Sequence, residues 1–185
     1  MPQSIINAGE ERMNKALVAL KKELSLVRTG RANPSVLNGV LVSYYGVPSP
    51  LTQIAAISVP EAQLLVIKPY DRAILKDIEK AIQLADLNLV PMNDGTVIRI
   101  NFPALNEQRR KELVKEIKNL AEGTKIAIRN IRRDMVDQMK KLEKDHVISE
   151  DELKRHSEKI QKITDKFVEQ TDGIAKEKEA MVMEI

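Results

Sequence analysis

Met13, Leu17, Leu20, Leu24 and Val27 recur at alternating spacings of four and three. That rhythm puts one apolar seam on a helix and leaves the rest of its circumference charged. The helix is predicted to stop near "RTGRANPS", where Gly30 suits a helix end and Pro34 prevents resumption. Beyond Ala104 the helical rhythm returns twice. Leu113, Ile117, Leu120, Ala127, Ile131, Met135, Met139 and Leu142 keep broadly to one face of a first long helix. Leu153, His156, Ile160, Ile163, Phe167, Ile174 and Met181 do so on a second. Ser149 and Glu152 in "SEDE" have the spacing of a capping box and mark its start. Only a short segment near "KDHVIS" separates the two, so they should be antiparallel neighbours.

Between Val36 and Phe102 the pattern changes. "VLVSYYGVPSPLTQIAAISV" reads as two extended runs joined by a turn at "GVPSP", and "LLVIK" as a short apolar strand. "DRAILKDIEKAIQLA" predicts a helix capped by Asp71, with Ile74, Ile78, Ala81, Ile82 and Ala85 on one face. "NDG" is a turn signal before the alternating strand "TVIRINF". The prolines agree: none follows Pro103, and every one except Pro2 lies between Pro34 and Pro103.

One single-seam helix precedes this α/β stretch and two follow it. Two such helices would leave seam exposed, whereas three can bury all of it. The expected architecture is α+β: an elongated antiparallel three-helix bundle of residues 1–30 and 104–185, with a small α/β module of residues 31–103 inserted. The chain crosses twice, at Thr29, Gly30, Arg31 and Pro34 and again at Pro103, Ala104 and Leu105. These two strands of chain form a natural hinge.

Composition narrows the chemistry. There is no Cys, which excludes thiol catalysis and zinc–thiolate sites and fits a reducing compartment. No apolar run approaches the ~20 residues that span a bilayer, and "MPQSIINAGEERMNK" has no apolar signal core. A cytoplasmic protein without membrane partners is expected. His146 and His156 have no HExxH or Cys neighbours, so no metal site is predicted. Glu150, Asp151 and Glu152 suit a helix's first turn. No phosphate-cradling glycine motif and no nucleophile–base set occurs, which points away from an enzyme and from a cofactor. Aromatic residues make up only 3% of the chain, which argues against stacking on single-stranded bases.

The charge distribution says more than the net charge of +3. Lys111, Lys118, Lys125 and Arg132 repeat every seven residues, with Arg129 beside the last two and Arg109, Arg110 and Arg133 flanking. Seven residues is nearly two turns, so these cations line one side of a helix for ~30 Å. Arg133 has Asp137 at pairing distance, but Arg132 and Arg129 have no acid three or four residues away. Two readings stand open: a salt-bridged helix exterior, or a rigid guanidinium row suited to the phosphates of structured RNA. A third possibility is a scaffold that dimerises through its seams and offers the basic face to a protein or membrane.

"VRTGRANPSVLNGVLVSYYGVPSPLTQIAAISV", "DRAILKDIEKAI", "NDGTVIRINFPALNEQRRKELVK" and "IAIRNIRRD" together resemble the ribosome recycling factor family over essentially the whole chain. The resemblance implies a near-L-shaped monomer in which a two-stranded hinge joins the bundle to a β/α/β module. It implies a non-catalytic translation factor whose bundle lies on ribosomal RNA of the large subunit of the post-termination ribosome. Elongation factor G would supply the GTPase that drives the subunits apart. The family's ribosome-contacting arginines fall on Arg132, with Arg110 and Arg129 in support; Lys118, Lys125 and Arg133 join them by spacing alone. The chain ends in Ile185, where an aromatic residue is common in the family.

Overall fold

The computed structural model describes residues 2–85 and 89–184; Ile185 lies outside them. They form two compact units. One holds the chain up to Val27 together with Lys111–Met183, and the other holds Arg28–Arg110 with Glu184. The chain just after the first helix and the first turn of the fourth therefore group with the α/β unit. Hydrogen bonds and a ring contact explain this. Ala32 N–H donates to Ala62 C=O at 2.6 Å, and Phe102 N–H donates to Gln63 C=O at 2.8 Å. Entering and leaving segments are thus tied to the same turn, and the Arg28 guanidinium lies 5.6 Å from the centre of the Phe102 ring.

The helical unit contains α1 (Pro2–Ser25), most of α4 (Glu107–Lys144) and α5 (Glu150–Met183). Their seams close into one core, where Ile6, Met13 and Leu17 meet Ile128, Ile131, Met135, Met139, Ile160 and Phe167. Burying each such side chain contributes ~1.5–3 kcal/mol. All five predicted α1 seam positions are buried. On α5 the seam also includes Thr164 and Thr171, which an apolar pattern overlooks. Their hydroxyls donate to the carbonyls of Ile160 and Phe167, both at 2.8 Å, so no polar group is left bare. Met181, expected inside, is instead 46% exposed, and Val182 takes the buried place.

The helix ends differ from expectation at one point. α1 stops at Ser25, well before Gly30, with Leu26 and Val27 donating to the carbonyls of Glu23 and Leu24 in a tightened last turn. Gly30 has no positive φ and is not a left-handed cap. The capping Ser149 behaves as predicted: its Oγ accepts from Glu152 N–H at 3.1 Å. Asn106 caps α4 in the same way, its Oδ1 accepting from Arg109 N–H at 2.7 Å. At the far end of α4, His146 sits at φ 59°, the left-handed position usually given to glycine. Val147 N–H reaches Leu142 C=O and His146 N–H reaches Glu143 C=O, the paired bonds of a Schellman stop.

In the α/β unit, β1 (Leu41–Tyr44) and β2 (Val47–Pro50) form a hairpin. Its turn is Tyr45–Gly46, both at positive φ, not the predicted "GVPSP". Pro48 and Pro50 lie in β2, which among the described residues pairs only with β1, so the missing N–H groups break no ladder. A one-turn helix α2 (Leu51–Ile54) leads into β3 (Ala55–Glu61) and β4 (Leu64–Pro69). After α3 (Leu75–Leu84), β5 (Pro91–Asn93) and β6 (Ile98–Asn101) complete an antiparallel sheet of order β3-β4-β6-β5. β5 was not expected from the sequence, being only three residues long and opening on a proline. α3 packs on both sheets, and its Ile78 and Ile82 meet Leu65, Ile67, Ile98 and Ile100 in the core. Asp71 Oδ1 accepts from Ala73 N–H at 2.9 Å, capping the single 3-10 turn that precedes α3. Its other oxygen accepts from the Tyr45 hydroxyl at 3.1 Å, and this bond raises the Tyr45 pKa. Asp94 accepts from Thr96 and Val97 in the β5–β6 turn, and these bonds hold its carboxyl down at about 2.

Among the described residues, Gly9 is the one glycine at which an added Cβ would meet other atoms. A Cβ there would stand 2.2 Å from Met135 Sδ, so the Met135 side chain of α4 fills the space that a larger residue at position 9 would need. Gly9→Ala gains ~1 kcal/mol of helix propensity but overpacks a buried methionine, a change that costs ~1–3 kcal/mol. A net loss of ~1 kcal/mol is expected in denaturant titration. Adding Met135→Val should cost less than in the wild-type background, because the two side chains share one space.

Candidate nucleic-acid interface

Burial of Ile128, Ile131 and Met135 fixes how α4 is rotated. Their neighbours Arg129, Arg133 and Ile126 therefore face solvent, while Lys125 and Arg132 lie at the edge of the packed surface and are half-buried. α4 is one unbroken helix from Glu107 to Lys144, so Lys118, Lys125 and Arg132 do lie along a single rigid rod. Lys118 is exposed. Arg110, in the first turn, groups with the α/β unit; its Nε is buried and has no hydrogen-bond partner.

Spacing along the sequence gave these cations few acids, because it reaches only three or four residues along one helix. The structure supplies partners from a second helix and from further along α4. Lys125 pairs with Asp172 of α5 and keeps only 18% of its side chain exposed. Arg129 faces Glu122, seven residues back, at 3.6 Å. Arg132 Nη1 donates to Gln161 Oε1 on α5 at 3.2 Å. The Gln161 amide nitrogen in turn donates to Asp165 Oδ1 at 2.8 Å. Arg132 is thus held by a neutral acceptor, whereas Lys125 and Arg129 face carboxylates. Away from this row, Lys178 on α5 is partly desolvated, which lowers its pKa.

The residues predicted as a hinge have no single environment. Thr29, Gly30 and Arg31 lie outside regular helix or strand, as do Pro103, Ala104 and Leu105. Arg31 pairs with Glu184 at 3.3 Å, and Thr29 Oγ1 accepts from Arg31 N–H at 3.4 Å. Pro34 instead opens the 3-10 turn Pro34–Leu37, which buries Leu37. Among the described residues no group of His, Cys, Asp and Glu could hold a metal ion, and no helix is long and apolar enough to cross a membrane.

A family model described as ribosome recycling factor matches residues 20–183. The chain belongs to the ribosome recycling factor family. Curated ribosome-recycling factors agree along their entire lengths: that of Geobacillus sp. (strain WCH70) is 56% identical over 185 residues, all of both chains. That of Brevibacillus brevis is 54% identical over the same span. Among solved structures, a solution structure of the ribosome recycling factor superposes with a TM-score of 0.82 at 37% identity, covering 100% of this chain and 98% of its own. A second, at 43% identity and a TM-score of 0.67 with full coverage of both chains, is the T. thermophilus factor. It is described together with E. coli elongation factor G, bound to the E. coli post-termination complex.

The two carboxylate pairs on this face should differ in weight. The Lys125–Asp172 pair is partly desolvated, so Asp172→Asn leaves a poorly hydrated ammonium and should lower stability by ~1 kcal/mol. Arg129 and Glu122 are both well exposed. Glu122→Gln should therefore change stability by less than ~0.5 kcal/mol. Chemical denaturation of both variants at one ionic strength checks the order.

Proposed function

We propose that this chain is a cytoplasmic, non-catalytic translation factor that acts as a monomer on the post-termination ribosome. With elongation factor G and GTP it promotes dissociation into subunits. The observation that carries this reading is the T. thermophilus relative, 43% identical across both whole chains and described with elongation factor G on a post-termination complex. The chain's own chemistry is compatible: it presents a basic helix face, while the GTP hydrolysis belongs to the partner. A scaffold that dimerises through its seams loses its basis, because the three helices already use those seams in one core.

In this reading Arg132 contacts a ribosomal RNA phosphate, supported by Arg110, Arg129, Arg133, Lys118 and Lys125 along α4. A helix fixes where the side chain starts, and the guanidinium fork offers two parallel N–H donors to one phosphate. The crossings at Thr29–Arg31 and Pro103–Leu105 act as the hinge between residues 1–30 plus 104–185 and residues 31–103. Domain-resolved NMR relaxation tests that hinge; one shared tumbling time for both units would rule it out.

The functional test is subunit splitting by the purified chain with elongation factor G and GTP, measured by light scattering, beside equilibrium ribosome binding at several salt concentrations. Splitting should require all three components. Arg132→Ala should leave stability within ~0.5 kcal/mol, as at other surface sites, yet weaken ribosome binding by ~1–3 kcal/mol. The slope of log affinity against log salt should shrink by ~1. Arg132→Ala with normal affinity and an unchanged slope would remove the phosphate reading.

A further inference from the structure

Three cations sit close together on α4, and the structure treats them differently. Lys125 is neutralised by Asp172, and Arg129 faces Glu122. Arg132 is met by Gln161, which carries no charge. The orientation of that amide follows from its partners. Asp165 Oδ1 can only accept, so the amide nitrogen must point to it; the Arg132 guanidinium can only donate, so the amide oxygen must face Arg132. Gln161 and Asp165 are one helical turn apart on α5, whose rotation is set by burial of Ile160 and Thr164. Gln161 is therefore braced from behind and presents an acceptor of fixed direction.

We propose that Gln161 is a positioning residue for Arg132: it orders the guanidinium in advance without cancelling its charge. An arginine has five N–H donors. The bond from Nη1 uses one of them and leaves the Nε–Nη2 edge whole, an edge with two parallel donors that can take a phosphate bidentately. A carboxylate in the same place would order the side chain equally well but would compete with the phosphate. A long side chain left free would lose rotamer entropy on binding. The amide avoids both costs. This inference rests on the reading of Arg132 as a phosphate-binding residue, and the experiment separates the two.

The experiment measures ribosome affinity of the full chain over a salt series for Gln161→Met, Gln161→Glu, Arg132→Ala and the double variant Gln161→Met/Arg132→Ala. A thermal melt accompanies each. Gln161→Met keeps the length and removes the acceptor. It should melt with the wild type and weaken binding ~3–10-fold, the scale of partly ordering one long side chain. Its salt slope should not change, because Arg132 keeps its charge. Gln161→Glu should weaken binding and also flatten the slope, because it pairs the guanidinium. In the Arg132→Ala background Gln161→Met should have no further effect. A purely structural role would lower both backgrounds alike. Wild-type affinity for Gln161→Met, or an equal loss in the Arg132→Ala background, overturns the positioning role while leaving the phosphate reading intact. No effect of Arg132→Ala itself overturns both.

Discussion

Each of the three long helices has one apolar seam, and each seam needs the other two helices. That requirement governs the helical unit. Once Ile128, Ile131 and Met135 are committed to the core beside Met13 and Phe167, α4 has no rotational freedom left. The direction of every charged residue on α4 then follows from its offset to the seam. Gly9 leaves room on α1 for the Met135 side chain. The basic row is in this sense a by-product of packing: its rigidity comes from a core it does not belong to.

The α/β unit meets a different demand. Two chain segments must enter and leave it, and both are tied to the Ala62–Gln63 turn through backbone bonds from Ala32 and Phe102. Sharing one anchor satisfies buried backbone groups at the crossing and draws the Arg28 guanidinium over Phe102. Elsewhere the unit is built from short pieces. Its strands run to seven residues at most, and its turns rely on Asp and Asn side chains closing locally onto backbone N–H groups.

In the proposed reading, function depends on charge that is both placed and available. Placement comes from the helices. Availability comes from the partners, and these grade the cations: a desolvated pair at Lys125, a loose exposed pair at Arg129 and an amide at Arg132. The family match over residues 20–183 and full-length relatives above half identity place this chain among the ribosome recycling factors.

The sequence by itself determined the long helices, their seams and the split between helical and α/β stretches, because helical periodicity and proline exclusion are local effects written along the chain. It also determined the helix start at Ser149, whose cap spans only three residues. It misplaced the hairpin turn, since "GVPSP" carries stronger turn signals than Tyr45–Gly46 while prolines on an unpaired edge cost nothing. It missed β5, too short for any periodicity, and the buried threonines, whose hydroxyls are satisfied only inside a formed helix. Tertiary structure alone decided the partners of Lys125 and Arg132. Asp172 and Gln161 lie far along the chain from Lys125 and Arg132, and only the antiparallel packing of α4 on α5 brings them within reach. Charge pairing across helices depends on distance in space, which no one-dimensional spacing encodes.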